Sequence, residues 1–197
     1  MIANKMVGLV NNNSAIRMMF EEGKRLAAEF GAENVYDFSL GNPNVPAPAG
    51  LNTAIKEILD EEKSTFVHGY MNNAGYEDVR ETIATSLNRR FETSFSKDNI
   101  IMTVGAAGGL NVILKTLLNP GDEVIAFAPY FLEYRSYINN YDGVLVEVSP
   151  DTETFMPNLA EFEEKITAKT KAVLINNPNN PTGVVYSEEV IKKLAKI

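Results

Sequence analysis

The residues with the most chemical potential lie in a polar turn, Asn176-Asn177-Pro178-Asn179-Asn180-Pro181-Thr182-Gly183. An apolar run at 172–175 precedes this turn and predicts a buried strand, and Ser187 after it predicts a helix start. Side chains at the carboxyl end of a parallel strand lie where open α/β folds bind their ligands. The turn is therefore a candidate hydrogen-bonding site. An ordinary surface turn is the alternative, because Asn, Pro and Gly are common turn residues.

A second candidate joins a predicted strand to a predicted helix through small residues, Thr103-Val104-Gly105-Ala106-Ala107-Gly108-Gly109-Leu110. Small side chains let a ligand approach the backbone, and a helix N-terminus offers free amides and the positive end of its dipole. The segment therefore predicts a phosphate site. It lacks the Lys-Ser/Thr ending of a P-loop, and tight packing of the strand against the helix would equally explain its small residues.

A pair of aromatic residues, Tyr130 and Phe131, follows another predicted strand and is expected at the same sheet edge. An aromatic ring there could stack on a flat cofactor ring, which contributes about 0.5–1.5 kcal/mol beyond the burial of area. The alternative is that both rings simply cap the core.

From about residue 99 onwards, strands alternate with helical segments, which predicts an α/β fold whose mostly parallel sheet is covered on both faces. The predicted strands of this part are 100–103, 123–127, 144–148 and 172–175. The predicted helices between and after them are 109–118, 131–139, 159–166 and one that begins near Ser187. Upstream, the patterns predict a helix from Ser14 to Gly31, a short strand at 35–38, a turn-rich loop at 40–48 and helices around 51–63 and 76–91.

The composition excludes several classes of function. The 197 residues carry a net charge of -8, which argues against a nucleic-acid surface. There is no cysteine and a single histidine, His68, so we expect neither disulfides nor a metal site. No signal peptide or apolar stretch of membrane-spanning length is evident, and we therefore expect a cytoplasmic protein with no membrane partner.

The three strand ends thus supply, in chain order, a phosphate cradle, an aromatic ring and an asparagine-rich turn. In these features the sequence resembles the fold type I pyridoxal-phosphate aminotransferases of class I/II, the branch that includes aspartate aminotransferases. The motifs that carry the resemblance lie at 41–43, 70–75, 103–107, 119–124 and 180–183. It implies the N-terminal part of a three-layer α/β/α large domain. Residues 1–50 would be an N-terminal segment, and 51–197 the first half of the cofactor-binding domain.

The resemblance also implies a set of residues that bind pyridoxal 5'-phosphate: Gly105, Ala106, Ala107, Phe131, Asn180 and Tyr70. The amides of Ala106 and Ala107 would hold the phosphate, although related enzymes often carry a hydroxyl or a longer polar side chain where Ala107 stands. Phe131 would stack on the pyridine ring, where aspartate aminotransferases tend to have tryptophan.

The remaining implied roles concern the ring oxygen, the substrate and the dimer. Asn180 would hydrogen-bond the phenolic oxygen of the ring, across a cis bond to Pro181, and would help to form the substrate site. Gly41 would offer its amide to the substrate carboxylate. Tyr70 would reach the phosphate of a neighbouring subunit, so the resemblance implies a homodimer with shared active sites.

The reactive lysine of the family has no counterpart in this chain, and no catalytic residue is predicted here. Lys97, in Ser94-Phe95-Ser96-Lys97, only superficially echoes the serine-lysine motif of the family and is interpreted as a solvated lysine. The chain ends within a predicted helix and looks cut. We therefore expect part of an enzyme that acts on amino acids and 2-oxo acids and is inactive by itself. The alternatives are a carbon–sulfur lyase or decarboxylase of the same fold, or a non-catalytic binding or regulatory half-protein.

Overall fold

The computed structural model describes residues 2–3, 6–8, 15–38, 41 and 45–197. The chain divides into two compact units, Met1–Tyr70 and Met71–Ile197. The boundary expected at residue 50 stays a prediction. Ser14, the predicted start of the first helix, and residues 42–44 of the loop after Gly41 lie outside the described residues.

The first unit is helical in its described part. It contains α1 (Ala15–Phe30), a 3-10 turn at Ala32–Asn34, α2 (Ala49–Glu61) and α3 (Ser64–Val67). The strand predicted at 35–38 is wrong, because a strand needs a ladder partner and the described residues form none with this segment. Phe38 is 92% exposed, so the apolar residues of the segment 35–38 do not show that it is buried.

The second unit contains the predicted alternation of helices and strands. Its helices are α4 (Glu77–Phe91), α5 (Gly105–Leu117), α6 (Glu133–Asn140), α7 (Leu159–Lys165) and α8 (Glu188–Lys196), with a 3-10 turn at Lys97–Asn99. Its strands are β1 (Glu123–Phe127), β2 (Val144–Val148) and β3 (Thr170–Leu174). Within the described residues they form one sheet of order β2-β1-β3, and both neighbours run parallel to β1.

Helices cover both faces of this sheet, because successive side chains of β1 point to opposite sides. On one face Ile125 and Phe127 pack against Phe162 of α7 and Leu194 of α8. On the other face the buried residues of β1 pack against α5 and α6, with Leu114, Val124 and Ile138 in one cluster and Ala126, Tyr130 and Tyr134 in the next. The α/β fold and its three-layer arrangement are thereby confirmed.

Several predicted boundaries differ from the structure. The strand expected at 100–103 is wrong: the segment joins no strand ladder among the described residues, and its one backbone hydrogen bond to a distant part of the chain runs from the Met102 amide to the Ala74 carbonyl, at 2.9 Å. Helix α5 begins at Gly105 instead of residue 109, because Gly105 turns the chain with a φ of 67° that glycine tolerates. Helix α6 begins at Glu133 instead of Phe131, and β3 spans 170–174 instead of 172–175.

Candidate functional site

The candidate site lies at the carboxyl edge of the sheet in the second unit. β1 leads into residues 128–131 and β3 leads into the asparagine turn, and the two strands are parallel neighbours, so both connections leave the same edge. The start of α5 comes close to them through shared packing. Leu110 of α5, Phe131 and Leu174 all pack against one buried cluster, Ala126, Tyr130 and Tyr134. The structure therefore brings together the three elements that the sequence singled out.

The first turn of α5 is open to ligands. Val104 occupies the N-cap position and makes no side-chain capping bond. The first amides of a helix have no partner within the helix. That of Gly105 donates to the carbonyl of Thr103 at 3.0 Å, which leaves those of Ala106 and Ala107 for a ligand. Gly105, Ala106 and Ala107 are all exposed, and a Cβ added at Gly105 would meet no atom within 4 Å. These features fit an anion such as a phosphate group.

Thr103 shapes the approach to this helix start. Its hydroxyl donates a hydrogen bond to the carbonyl of Gly105 at 3.1 Å. A Cβ added at Gly109 would lie 3.3 Å from the same hydroxyl oxygen, so glycine at that position leaves room for the threonine. The small residues of the segment therefore serve tight packing and also leave the backbone accessible, and the phosphate site stays a prediction.

Phe131 is held at the site by an aromatic contact that the sequence did not predict. Its ring meets that of Tyr134 edge to face, with centroids 5.6 Å apart and planes at 82°. Tyr134 in turn stacks on Tyr130 at 6.3 Å and 18°. The spacing of three and four residues from Phe131 and Tyr130 to Tyr134 is the signal that could have revealed this cluster.

Two charged residues fix Tyr130. Its hydroxyl donates to the carboxylate of Glu147 on β2 and accepts a hydrogen bond from the guanidinium of Arg135 at 3.1 Å. Arg135 also forms an ion pair with Glu147. Burial raises the pKa of Tyr130, and its bond to Glu147 raises that pKa further, so the phenol stays a neutral donor in this network.

The asparagine turn uses most of its amides to hold its own shape. The side chain of Asn177 pairs with the backbone of Tyr186, accepting from its amide at 2.8 Å and donating to its carbonyl at 3.3 Å. The side-chain oxygen of Asn179 accepts from the amide of Thr182 at 3.2 Å and from its hydroxyl at 2.8 Å. Asn179 is only 8% exposed and Thr182 is half-buried, so these bonds are partly shielded from water. The sequence did not distinguish Asn179 from its neighbours.

Asn180 differs from the other asparagines of the turn. Asn176 accepts a hydrogen bond from the backbone amide of Asn180 at 2.8 Å. The side chain of Asn180 itself is exposed and makes no hydrogen bond to any residue that the structure describes. The Asn180-Pro181 bond is cis, which confirms the prediction, and Ala128-Pro129 and Asn177-Pro178 are cis as well. The turn therefore presents one asparagine amide that a ligand can bind.

The turn and the aromatic cluster lie against each other. A cavity of about 10 Å³ separates them and is lined, among others, by Tyr134, Asn179 and Tyr186. That volume is about the room one water molecule needs. Burial raises the pKa of Tyr134 and of Tyr186, so both phenols remain neutral around this cavity.

Other predicted residues lie in the first unit or away from the sheet edge. Gly41 and Tyr70 belong to the first unit and are exposed, and their roles stay predictions. Lys97 lies in the short 3-10 turn Lys97–Asn99 and forms an ion pair with Glu77. The hydrogen bond that Lys97 donates to the carboxylate of Glu77 raises the pKa of Lys97, which keeps this amine charged and therefore unreactive.

The described part of the chain contains neither a candidate metal site nor a candidate membrane-spanning helix. No group of His, Cys, Asp or Glu side chains there could hold a metal ion. The helices that the structure describes are all too short or too polar to cross a membrane.

Comparison with known proteins identifies the family. Residues 33–197 match the family model for aminotransferase class I and II, so the chain belongs to this family and the resemblance is confirmed. The aspartate aminotransferase of Sulfurisphaera tokodaii is 34% identical over 183 residues, which are 91% of this chain and 45% of that protein. A probable aspartate/prephenate aminotransferase of Aquifex aeolicus is 37% identical over 164 residues, covering 83% of this chain and 41% of that protein.

Solved structures agree with this assignment. The crystal structure of an aminotransferase from Eubacterium rectale superposes on the whole chain with a TM-score of 0.94 at 46% identity, and the match covers 50% of that structure. An aspartate aminotransferase from Thermotoga maritima gives a TM-score of 0.84 at 31% identity over 99% of this chain and 50% of its own. The chain thus spans about half the length of the relatives it matches.

The two neighbouring asparagines of the turn provide a matched pair for a stability test. We expect Asn179→Ala to lower the free energy of unfolding by about 1–3 kcal/mol, because it leaves the half-buried amide and hydroxyl of Thr182 without their partner. Asn180→Ala removes an exposed side chain that makes no hydrogen bond to the described residues, and it should change the free energy of unfolding by less than about 0.5 kcal/mol. Urea unfolding of the two variants measures both values, and equal losses would contradict this description of the turn.

Proposed function

We propose that this chain is the cofactor-binding part of a pyridoxal-phosphate-dependent aminotransferase, and that the whole protein moves an amino group between an amino acid and a 2-oxo acid. The observation that carries the proposal is that three groups able to bind a ligand lie at one edge of the sheet. They are the open amides of α5, the half-buried ring of Phe131 and the side chain of Asn180. Membership of the aminotransferase family supports the same activity.

The residues present fit the proposed cofactor. The amides of Ala106 and Ala107 match a phosphate, because a helix N-terminus favours an anion. Phe131 offers a flat apolar surface to the pyridine ring, and the side-chain amide of Asn180 can donate to the phenolic oxygen of that ring. When bound, pyridoxal phosphate supplies the electron sink for chemistry at the α-carbon of an amino acid, and the protein supplies orientation and electrostatics.

The proposal extends to the substrate and to a second subunit. We assign the amide of Gly41 to the substrate carboxylate, the side chain of Asn180 to substrate binding, and Tyr70 to the cofactor phosphate of a neighbouring copy. The support for these roles is the match of their motifs to those of the family and, for Tyr70, a fully exposed side chain. A homodimer and a cytoplasmic location belong to the same proposal.

The phosphate assignment can be tested at Ala107. We expect Ala107→Asp in the full-length protein to weaken pyridoxal-phosphate binding about fivefold or more, because like charges about 4 Å apart in a partly screened site repel by roughly 1–4 kcal/mol. Ala107→Ser adds a hydroxyl without charge and should bind the cofactor at least as well as the unchanged protein. Titration followed by the visible absorption of the cofactor gives both affinities. Unchanged affinity in the aspartate variant would contradict the assignment.

The activity itself is tested with the protein encoded by the full open reading frame, supplied with pyridoxal phosphate. We expect equal amounts of a new amino acid and a new 2-oxo acid, formed only when an amino donor and a 2-oxo acceptor are both present. Ammonia, a thiol or carbon dioxide released from the amino acid alone would contradict transamination and favour a lyase or a decarboxylase. Cofactor binding without any turnover would favour a non-catalytic protein.

The 197-residue chain by itself should not exceed the turnover of free cofactor in the same assay. None of its lysines lies in the asparagine turn, in the first turn of α5 or in residues 128–131. A free lysine amine near its ordinary pKa of ~10.4 is protonated at neutral pH and is a poor nucleophile. Turnover by the chain that disappears on replacing one particular lysine would contradict this expectation.

A further inference from the structure

We propose that Tyr134 is a positioning residue that sets the plane of the Phe131 ring. The inference rests on the proposed function, in which Phe131 stacks on the cofactor, and it assigns a role to a residue that does not itself touch the cofactor. The favourable energy of offset stacking depends on the relative orientation of the two rings. A ring that is held in one plane before the cofactor arrives is therefore a better stacking surface than a ring that is free to turn.

Phe131 needs such support because it lies outside regular structure. Helix α6 begins at Glu133, two residues after it, so helical geometry does not fix the direction of its side chain. The backbone is tied locally, since the amide of Tyr134 donates to the carbonyl of Phe131 at 3.0 Å. The ring is tied by its edge-to-face contact with Tyr134. Whichever ring supplies the edge, at least one face of Phe131 remains uncovered by Tyr134.

Tyr134 can impose an orientation because it is itself held firmly. It is 8% exposed and belongs to the buried cluster with Ala126 and Tyr130. Tyr130, on which it stacks, is anchored through Glu147 to β2 and through Arg135 to α6. The orientation of the Phe131 ring is therefore constrained by β2, through Tyr134 and Tyr130.

The ring of Tyr134, and not its hydroxyl, makes the contacts that matter. The hydroxyl has no hydrogen-bond partner among the residues that the structure describes. Tyr134→Phe should therefore preserve the positioning, whereas Tyr134→Leu should remove it. If Tyr134 only stabilised the core, its replacement would weaken cofactor binding whether or not the Phe131 ring is present. A positioning residue affects cofactor binding only while the Phe131 ring is present, so the two roles can be separated.

The test uses the full-length protein and measures two quantities, the dissociation constant of pyridoxal phosphate and the visible circular dichroism per bound cofactor. The variants are Phe131→Leu, Tyr134→Leu, the double variant and Tyr134→Phe. Phe162→Leu serves as the control, because Phe162 is a fully buried aromatic residue on the opposite face of the sheet. If Tyr134→Leu does not yield folded protein, Tyr134→Met gives the same comparison with a side chain of similar length and no ring.

We expect Tyr134→Leu to raise the dissociation constant roughly two- to tenfold and to weaken the circular dichroism signal, a change that matches the ~0.5–1.5 kcal/mol of an aromatic pair. Tyr134→Phe should stay within about twofold of the unchanged protein. The double variant should bind no worse than Phe131→Leu, because Tyr134 acts through Phe131.

Three results would overturn the inference while leaving the proposed function in place. They are an effect of Tyr134→Leu no larger than that of Phe162→Leu, effects that multiply in the double variant, or an equal loss in Tyr134→Phe. A fourth result separates the two proposals: if Phe131→Leu alone leaves cofactor binding unchanged, the stacking role in the proposed function is wrong, and the role of Tyr134 falls with it.

Discussion

The parallel pairing of β1 with β3 is the constraint on which the candidate site depends. In register from Val124↔Ala172 to Ala126↔Leu174, the two strands end side by side. Their connections, the aromatic segment and the asparagine turn, therefore emerge at one edge although more than forty residues separate them along the chain. An antiparallel pair would have sent them to opposite ends of the sheet. The alternation of side chains along β1 then attaches α5 and its open N-terminus to the face that also carries Tyr130 and Tyr134.

The asparagine turn shows how a polar loop can be rigid and still offer a hydrogen-bonding group to a ligand. Asn177 and Asn179 satisfy backbone groups of the turn and hold it in place. Their neighbour Asn180 is thereby presented on a fixed backbone, and its side-chain amide makes no hydrogen bond to the described residues. The aromatic residues differ in the same way, because Tyr130 is buried and bonded to charged partners whereas Phe131 is only half-buried. Binding groups held in this way lose little conformational entropy when a ligand arrives.

Much of this arrangement could be predicted from the sequence, and the failures have physical causes. β1 and β2 were predicted at their observed bounds, because compact apolar runs between turn signals are typical of buried strands. The segments at 35–38 and 100–103 were wrongly predicted as strands, because strand formation depends on a partner that local sequence does not reveal. The early start of α5 was missed because glycine usually argues against a helix. Asn179 could not be singled out, because the turn holds four asparagines and the sequence does not show which side chain faces Thr182. The contact of Tyr134 with Phe131 was missed, although a spacing of three residues could have indicated it.

The central claim is that the amides of α5, the ring of Phe131 and the side chain of Asn180 form one cofactor site. A crystal structure of the full-length protein grown with pyridoxal phosphate tests it most directly. The account predicts the phosphate within hydrogen-bonding distance of the amides of Ala106 and Ala107, the pyridine ring against Phe131, and the amide of Asn180 at the phenolic oxygen of that ring. A cofactor bound at another edge of the sheet, or with its phosphate away from the start of α5, would contradict it.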